Sequence, residues 1–90
     1  MKILVTGVAG FIGFHLAKAL IHNKKNIVGI DNINDYYDVK LKKSRLSKLQ
    51  EIGLVFHKID ISKKNILEKF LLNEKFDVII HLAAQAGVRY

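Results

Sequence analysis

Three glycines near the amino terminus have the spacing of a turn that binds a diphosphate. Gly7, Gly10 and Gly13 form the pattern Gly-x-x-Gly-x-x-Gly between a short apolar run and a helical pattern. Glycines let the main chain bend sharply and approach a pyrophosphate, and the N–H groups at the start of the next helix then face that anion. The spacing predicts a dinucleotide-binding turn; the simpler alternative is that the glycines only shape a structural turn.

An acidic residue follows this turn at about the twenty-residue distance that dinucleotide sites require. Asp31 stands at the carboxyl end of a second apolar run, where its carboxylate can accept hydrogen bonds from both hydroxyls of an adenosine ribose. It would also repel a 2′-phosphate, so the predicted cofactor is NAD and not NADP. The alternative is that Asp31 is a solvated residue at a strand end.

The elements that must position these residues alternate between strand and helix. The predicted strands cover residues 2–6, 27–30, 54–59 and 76–81. The predicted helices cover about 11–22, 39–51 and 62–73, and a polar loop covers 32–38. Such alternation implies right-handed crossovers and a parallel sheet. We expect an α/β fold, the first half of a Rossmann-like doubly wound sheet, with four strands in the order 3-2-1-4 and three helices.

Apolar side chains at helical spacing predict the buried face of each helix. For the first helix these are Ile12, Leu16, Ala19 and Leu20. For the second they are Leu46, Leu49 and Ile52, with Gly53 as the helix end. For the third they are Ile66, Leu67, Phe70 and Leu71, with Ser62 as the N-cap.

Composition narrows the class of protein. The 90 residues suffice for one small domain or part of one, and 50% of them are hydrophobic, which suits a sheet covered on both faces. No apolar run approaches the ~20 residues that cross a bilayer. The absence of cysteine excludes disulfides and thiolate zinc sites. We expect a cytoplasmic protein with no membrane association and no metal site.

The charge raises the alternative of nucleic-acid binding. Lys and Arg number 15 against 8 Asp and Glu, a formal net charge of +7. The basic residues are spread along the chain, are densest over 40–48, and accompany no nucleic-acid motif. We therefore expect residues 40–48 to form the solvated face of a helix and expect no specific nucleic-acid partner.

Three segments together resemble a known family. Residues 3–13 contain Thr-Gly-x-x-Gly-Phe-Ile-Gly, residues 31–37 read Asp-Asn-Ile-Asn-Asp-Tyr-Tyr, and residues 81–90 read His-Leu-Ala-Ala-Gln-Ala-Gly-Val-Arg-Tyr. They resemble the extended short-chain dehydrogenase/reductases, NAD-dependent nucleotide-sugar epimerases and dehydratases, and are similar to the UDP-glucuronate 4-epimerases of capsular polysaccharide biosynthesis. Members of that family are several times longer. The resemblance implies the amino-terminal part of an NAD-binding Rossmann domain, a fragment without a second domain.

The resemblance also implies roles for individual residues. Gly7, Gly10 and Gly13 would hold the pyrophosphate, with main-chain donors at Phe11 and Ile12. The adenosine ribose would be bound by Asp31, Asn32 and Asn34, and the adenine would be bound by Asp60 and Ile61. The nicotinamide-side ribose would be bound by Leu82, Ala83 and Ala84. Gln85 and Arg89 would border the sugar-nucleotide pocket. Each of three residues has a simpler alternative. Asp60 could only cap the third helix, Arg89 could be a surface charge, and His81 could be a strand-end residue.

Catalysis, as the resemblance implies it, requires groups that these 90 residues do not include. In the family a tyrosinate takes the sugar hydroxyl proton while hydride passes to NAD, helped by a lysine four residues later and by a Ser or Thr. The 4-keto sugar then takes hydride back on its other face. Tyr36 and Lys40 have the Tyr-x-x-x-Lys spacing but lie on the adenosine side, out of reach of a sugar hydroxyl. We therefore expect no catalytic residue here.

The function expected from these observations is the NAD-binding portion of a nucleotide-sugar epimerase, similar to UDP-glucuronate 4-epimerase and not catalytic alone. One alternative is the same portion of a nucleotide-sugar dehydratase. Another is a free-standing nucleotide-binding or assembly module, forming a homo-oligomer or completed by another chain. A complete enzyme of another family would need its catalytic groups among the residues His15, His57, His81, Tyr36 and Tyr37.

Overall fold

Four strands and three helices alternate in a computed structural model of the chain, which describes residues 1–33 and 39–83. The strands are β1 (Lys2–Thr6), β2 (Asn26–Asp31), β3 (Val55–Lys58) and β4 (Val78–His81). The helices are α1 (Phe11–His22), α2 (Val39–Glu51) and α3 (Lys64–Glu74). Every predicted strand and helix is confirmed, with bounds that differ by at most two residues. None of the helices in the described ranges is long and apolar enough to cross a membrane.

The strands form one parallel sheet in the order β3-β2-β1-β4. In β1, Thr6 lies opposite Ile30 of β2 on one side and opposite His81 of β4 on the other. The predicted α/β fold and strand order are therefore confirmed. Because the strands are parallel, their carboxyl ends meet at one edge, and Thr6, Asp31 and His81 all lie there.

Two apolar clusters cover the two faces of the sheet, because successive strand residues point to opposite sides. The first cluster lies under α1 and α2, and its buried members are Ile3, Val5, Val8, Ala9, Ala17, Ile27, Leu46, Leu49 and Leu54. The second lies under α3, with Leu4, Val28 and Ile30 buried and with Ile59, Ile61, Leu67, Phe70, Leu71 and Phe76 packed against them. The sheet is thus sandwiched between helices.

The buried face of α1 differs from the predicted face. Ile12 is 66% exposed and Ala19 is exposed, whereas Gly13 and Ala17 are buried. The helix starts so close to the preceding turn that a Cβ on Gly13 would meet the carbonyl oxygen of Gly7. This contact leaves no room for a side chain at position 13, so a glycine is buried there.

The other predicted helix faces are correct in part. Leu20, Leu46 and Leu49 belong to or pack against the first cluster, and Leu67, Phe70 and Leu71 pack against the second. Ile52 and Ile66 are exposed, contrary to prediction. Ile52 lies beyond the end of α2, where Gly53 turns the chain with a φ of +115°.

The prediction that Ser62 caps α3 is wrong. Its hydroxyl donates to Oδ1 of Asp60 at 2.7 Å, and its N–H donates to the same oxygen at 2.9 Å. These two bonds form a local turn before the helix, so the N-cap position falls on Lys63, which makes no side-chain cap hydrogen bond. The alternative role of Asp60 as a helix cap is also wrong, because its carboxylate binds Ser62.

Candidate functional site

The turn between β1 and α1 has a geometry that only glycine can adopt at two positions. Gly7 has a φ of +70°, and a Cβ there would lie 2.8 Å from the backbone nitrogen of Ala83. At Gly13 the obstacle is again main chain, the carbonyl of Gly7. Neither obstacle is a flexible side chain that could move aside. The two glycines thus allow three backbone segments to meet at the carboxyl edge of the sheet.

This turn leads into the N-terminus of α1, where an anion would be stabilised. Gly10 is the N-cap and has no side chain that could accept from the first-turn N–H groups. Those groups carry the positive end of the helix dipole, about half an elementary charge. A groove of about 340 Å³ lies beside them, lined by Gly7, Gly10, Phe11, Ile12, Gly13 and Leu82. Six residues predicted to contact the cofactor therefore share one groove.

Asp31 is buried, with 8% of its surface exposed. Its Oδ2 accepts from the N–H of Ala9 at 3.1 Å, and its Oδ1 accepts from the N–H of Ile33 at 2.9 Å. The alternative that Asp31 is a solvated strand end is therefore wrong. The carboxylate joins the turn after β1 to the loop after β2, and each of its oxygens has a further lone pair that a ribose hydroxyl could use. Asn32, which follows it, is half-buried.

Thr6 joins β1 to the segment after β4. Its Oγ1 accepts from the N–H of Leu82 at 2.9 Å and of Ala83 at 3.1 Å, and lies 2.8 Å from Nδ1 of His81. A hydroxyl has two lone pairs and one proton, so with both lone pairs used it donates to Nδ1. The neutral His81 ring therefore carries its proton on Nε2. This network fixes Leu82 and Ala83 beside Gly7, and His81 is a strand-end residue with a structural partner.

Arg45 on α2 also reaches the turn, which the sequence did not indicate. Its Nη1 donates to the carbonyl oxygen of Ala9 at 3.2 Å, and its Cζ lies 5.9 Å from the centre of the Phe11 ring. The predicted solvated face over 40–48 is therefore wrong at Arg45, which is half-buried, and at Lys42, which is 8% exposed. A contact across 36 residues has no signature in local spacing.

Asp60 and Ile61 follow β3 at the same edge of the sheet. The N–H of Ile59 donates to the backbone oxygen of Asp31 at 3.2 Å, which brings this segment beside the β2 end. The hydrogen bonds from the Ser62 hydroxyl and N–H, with a smaller contribution from the charge of Lys63, lower the pKa of Asp60. The Ile61 side chain packs against the second apolar cluster.

Several predicted site residues lie outside the described residues: Asn34, Ala84, Gln85 and Arg89, together with Tyr36 and Tyr37. The three histidines considered for another enzyme class have different neighbours. His15 packs against Phe11 and Phe14, His57 packs against Phe70, and His81 bonds to Thr6. Within 1–33 and 39–83 there is no group of three or more side chains that could hold a metal ion.

Comparison with known proteins shows where this arrangement recurs. The family model described as GDP-mannose 4,6 dehydratase matches residues 4–90. The chain belongs to this dehydratase family. The expected resemblance to NAD-dependent nucleotide-sugar epimerases and dehydratases of the extended short-chain dehydrogenase/reductases is confirmed.

Two curated relatives match the chain over all 90 residues. The chain is 49% identical to Protein CapI of Staphylococcus aureus over 90 residues, covering 100% of this chain and 27% of CapI. It is 44% identical to UDP-glucuronate 4-epimerase 2 of Arabidopsis thaliana over 90 residues, covering 100% of this chain and 21% of that protein. The chain thus spans about a quarter of the length of these relatives.

A solved structure has the same fold. It is a mutant UDP-glucuronic acid 4-epimerase from Bacillus cereus in complex with UDP-4-deoxy-4-fluoro-glucuronic acid and NAD. The match has a TM-score of 0.82 and 42% identity, and covers 99% of this chain and 28% of the other. The four-stranded sheet described above is therefore part of a larger fold in that enzyme.

Proposed function

We propose that this chain binds the ADP portion of NAD and forms the cofactor-binding part of a nucleotide-sugar 4-epimerase that acts on UDP-glucuronate. One observation carries the proposal. The glycine turn, the first turn of α1 and the buried Asp31 meet at one edge of the sheet, beside a groove of about 340 Å³. The NAD in the Bacillus cereus relative supports the proposal.

The described residues fit the cofactor that is proposed. A Cβ at Gly7 or Gly13 would collide with neighbouring main chain, so the turn requires glycine at both positions. The adjacent N–H groups of α1 suit a diphosphate. The carboxylate of Asp31 would accept from the ribose hydroxyls, and Leu82 lines the groove beside the glycine turn. When bound, NAD supplies a hydride acceptor. The residues of this chain bind and orient it.

Discrimination against NADP follows from the position of Asp31. Its carboxylate is fixed by the N–H groups of Ala9 and Ile33, so it cannot turn away from a 2′-phosphate without breaking both bonds. Two negative charges about 4 Å apart repel each other by about 4 kcal/mol at an effective dielectric constant of about 20, before screening by salt. Selectivity for NAD is therefore an outcome of backbone contacts as well as of charge.

The epimerase is favoured over the dehydratase by the identities of 44–49% with CapI and with a UDP-glucuronate 4-epimerase. The dehydratase stays the second candidate, because the matching family model has that description. We further propose a cytoplasmic location, a nucleotide-sugar substrate, a homo-oligomer or a completing chain, and no turnover by these 90 residues alone.

The test is a titration of the ¹⁵N-labelled chain with NAD and with NADP, followed by the amide shifts. We expect the shifts at residues 7–13 with NAD, and an affinity for NADP at least about tenfold lower, or ~1.4 kcal/mol. Asp31→Asn should reduce that ratio to near one. Asp77→Asn is the matched control, because Asp77 binds the backbone N–H of Lys2 at the opposite end of the sheet. Equal affinities in the wild-type chain would contradict the proposal.

A further inference from the structure

The peptide groups around Ala9 are held from two directions by charged side chains. The N–H of Ala9 donates to Oδ2 of Asp31 at 3.1 Å, and its carbonyl oxygen accepts from Nη1 of Arg45 at 3.2 Å. Ala9 is itself fully buried. The two charged residues come from different elements, β2 and α2, so the turn is fixed from outside its own sequence.

The position of Ala9 makes this restraint important for the groove. Ala9 immediately precedes Gly10, the N-cap of α1, whose N–H donates to the carbonyl of Gly7 at 3.0 Å. The carbonyl of Ala9 and the N–H of Gly10 belong to one planar peptide unit. If the carbonyl lost its donor it would turn towards another partner, because a buried carbonyl without one is costly. The N–H of Gly10 would turn with it.

Arg45 also restrains the residue after the N-cap. Its guanidinium lies 5.9 Å from the centre of the Phe11 ring, within the range of a cation–π contact. The ring of His15 packs on Phe11 with an edge contact at 4.6 Å. Phe11 lines the groove. Arg45 therefore contacts the chain on both sides of Gly10.

We infer that Arg45 is a positioning residue for the diphosphate site, holding the entry into α1 through the carbonyl of Ala9 and the ring of Phe11. This inference rests on the proposed function. The role requires a planar guanidinium, which can donate to a carbonyl while it lies over a ring. A lysine ammonium keeps the charge but not that geometry.

The test compares Arg45→Lys with Arg45→Gln in titrations of the chain with ADP-ribose and with adenosine. We expect both variants to bind ADP-ribose about tenfold more weakly than the wild-type chain and to bind adenosine unchanged. Adenosine lacks the diphosphate, so its affinity also shows that the variants are folded. Hydrogen exchange at the amides of Gly10 and Phe11 should rise in both. Lys48→Gln, an exposed cation on the same helix, should bind both ligands within twofold of the wild type.

The outcomes are separable. If Arg45→Lys binds ADP-ribose as well as the wild-type chain does, charge alone matters and the positioning role is wrong. If both variants lose adenosine binding as well, the effect is not confined to the diphosphate and the inference fails. If the wild-type chain itself binds no ADP-ribose, the proposed function fails, and the role of Arg45 at a diphosphate site fails with it.

Discussion

The two ends of this chain contribute unequally to the same sheet. In β1 and β2 every residue of 3–6 and 27–31 is buried. The structure describes all residues of β3, α3 and β4, and none of them is buried. The sequences of the strands are similarly apolar, so composition does not explain the contrast. The position in the sheet does, because β1 and β2 lie between two neighbours and β3 and β4 are the edges of the described sheet.

The contrast also divides the candidate site. The glycine turn and Asp31 extend directly from the two fully buried strands, whereas Asp60 and Leu82 follow the edge strands. A diphosphate site needs fixed N–H groups, and the turn that would supply them follows directly from the buried residues of β1. The difference indicates that the proposed adenosine and diphosphate contacts depend on the central strands.

The largest effect should come from truncating matched leucines in the two regions. Leu4 in β1 is 1% exposed, and Leu72 in α3 is 74% exposed. Leu4→Ala should lower the free energy of unfolding by about 2–5 kcal/mol, because it leaves a cavity between β1 and α3. Leu72→Ala should change it by less than about 0.5 kcal/mol. Urea denaturation measures both, and similar losses would remove the contrast.

The second prediction concerns Thr6, where the two regions are joined. Thr6→Val keeps the shape but removes the hydroxyl that accepts from Leu82 and Ala83 and donates to His81, which should cost about 1–3 kcal/mol. The backbone carbonyl at position 6 stays available to the N–H of Leu82. Thr6→Ser keeps the hydroxyl and should cost about 1 kcal/mol for the lost methyl. Hydrogen exchange at the amide of Ala83 should accelerate in the valine variant only. Equal exchange in both variants would show that the hydroxyl does not join the regions.

The smallest effect should be at Asp60, in the exposed loop after β3. Its pKa lies below the ordinary 3.8 because Ser62 donates to its carboxylate. The charged form is thus favoured in the folded chain, and its contribution to stability is present above about pH 4 and lost as the pH falls through the folded pKa. Ser62→Ala should raise the pKa of Asp60 towards 3.8 and weaken this acid dependence.

A ¹³C titration of the Asp60 carboxyl measures the shift, with Ser47→Ala on α2 as the control. Ser47 is exposed and distant in sequence, so its replacement should leave the Asp60 titration unchanged. A pKa of Asp60 that is the same in the Ser62→Ala variant would show that the backbone N–H alone lowers it.

Periodicity was sufficient to predict the strands, the helices and the order of the sheet. Alternation of strand and helix has few topological solutions, and the glycine spacing has a backbone meaning that residue types carry directly. The grouping of Gly7, Gly10 and Gly13 with Phe11 beside one groove follows from that local signal. The fold and the glycine turn could therefore be predicted from the sequence.

Features that depend on contacts between residues distant in sequence could not be predicted from the sequence. Periodicity places Ile12 in the core, but α1 approaches Gly7 so closely that only a glycine fits at position 13, and Ile12 is exposed. A basic run predicts a solvated face, yet Arg45 reaches Ala9 across 36 residues. Ser62 has the right type for an N-cap, but a carboxylate two residues earlier competes for it. In each case a tertiary or competing contact overrides a local preference.

The strand order has a consequence for how the polypeptide is made. Thr6 lies opposite His81, which follows it by 75 residues. One side of β1 therefore has no strand partner until β4 is synthesised, long after β2. Pairings this remote slow folding, and a bare strand edge invites association with other nascent chains. Until β4 has left the ribosome, a chaperone bound to β1 would therefore protect its unpaired side.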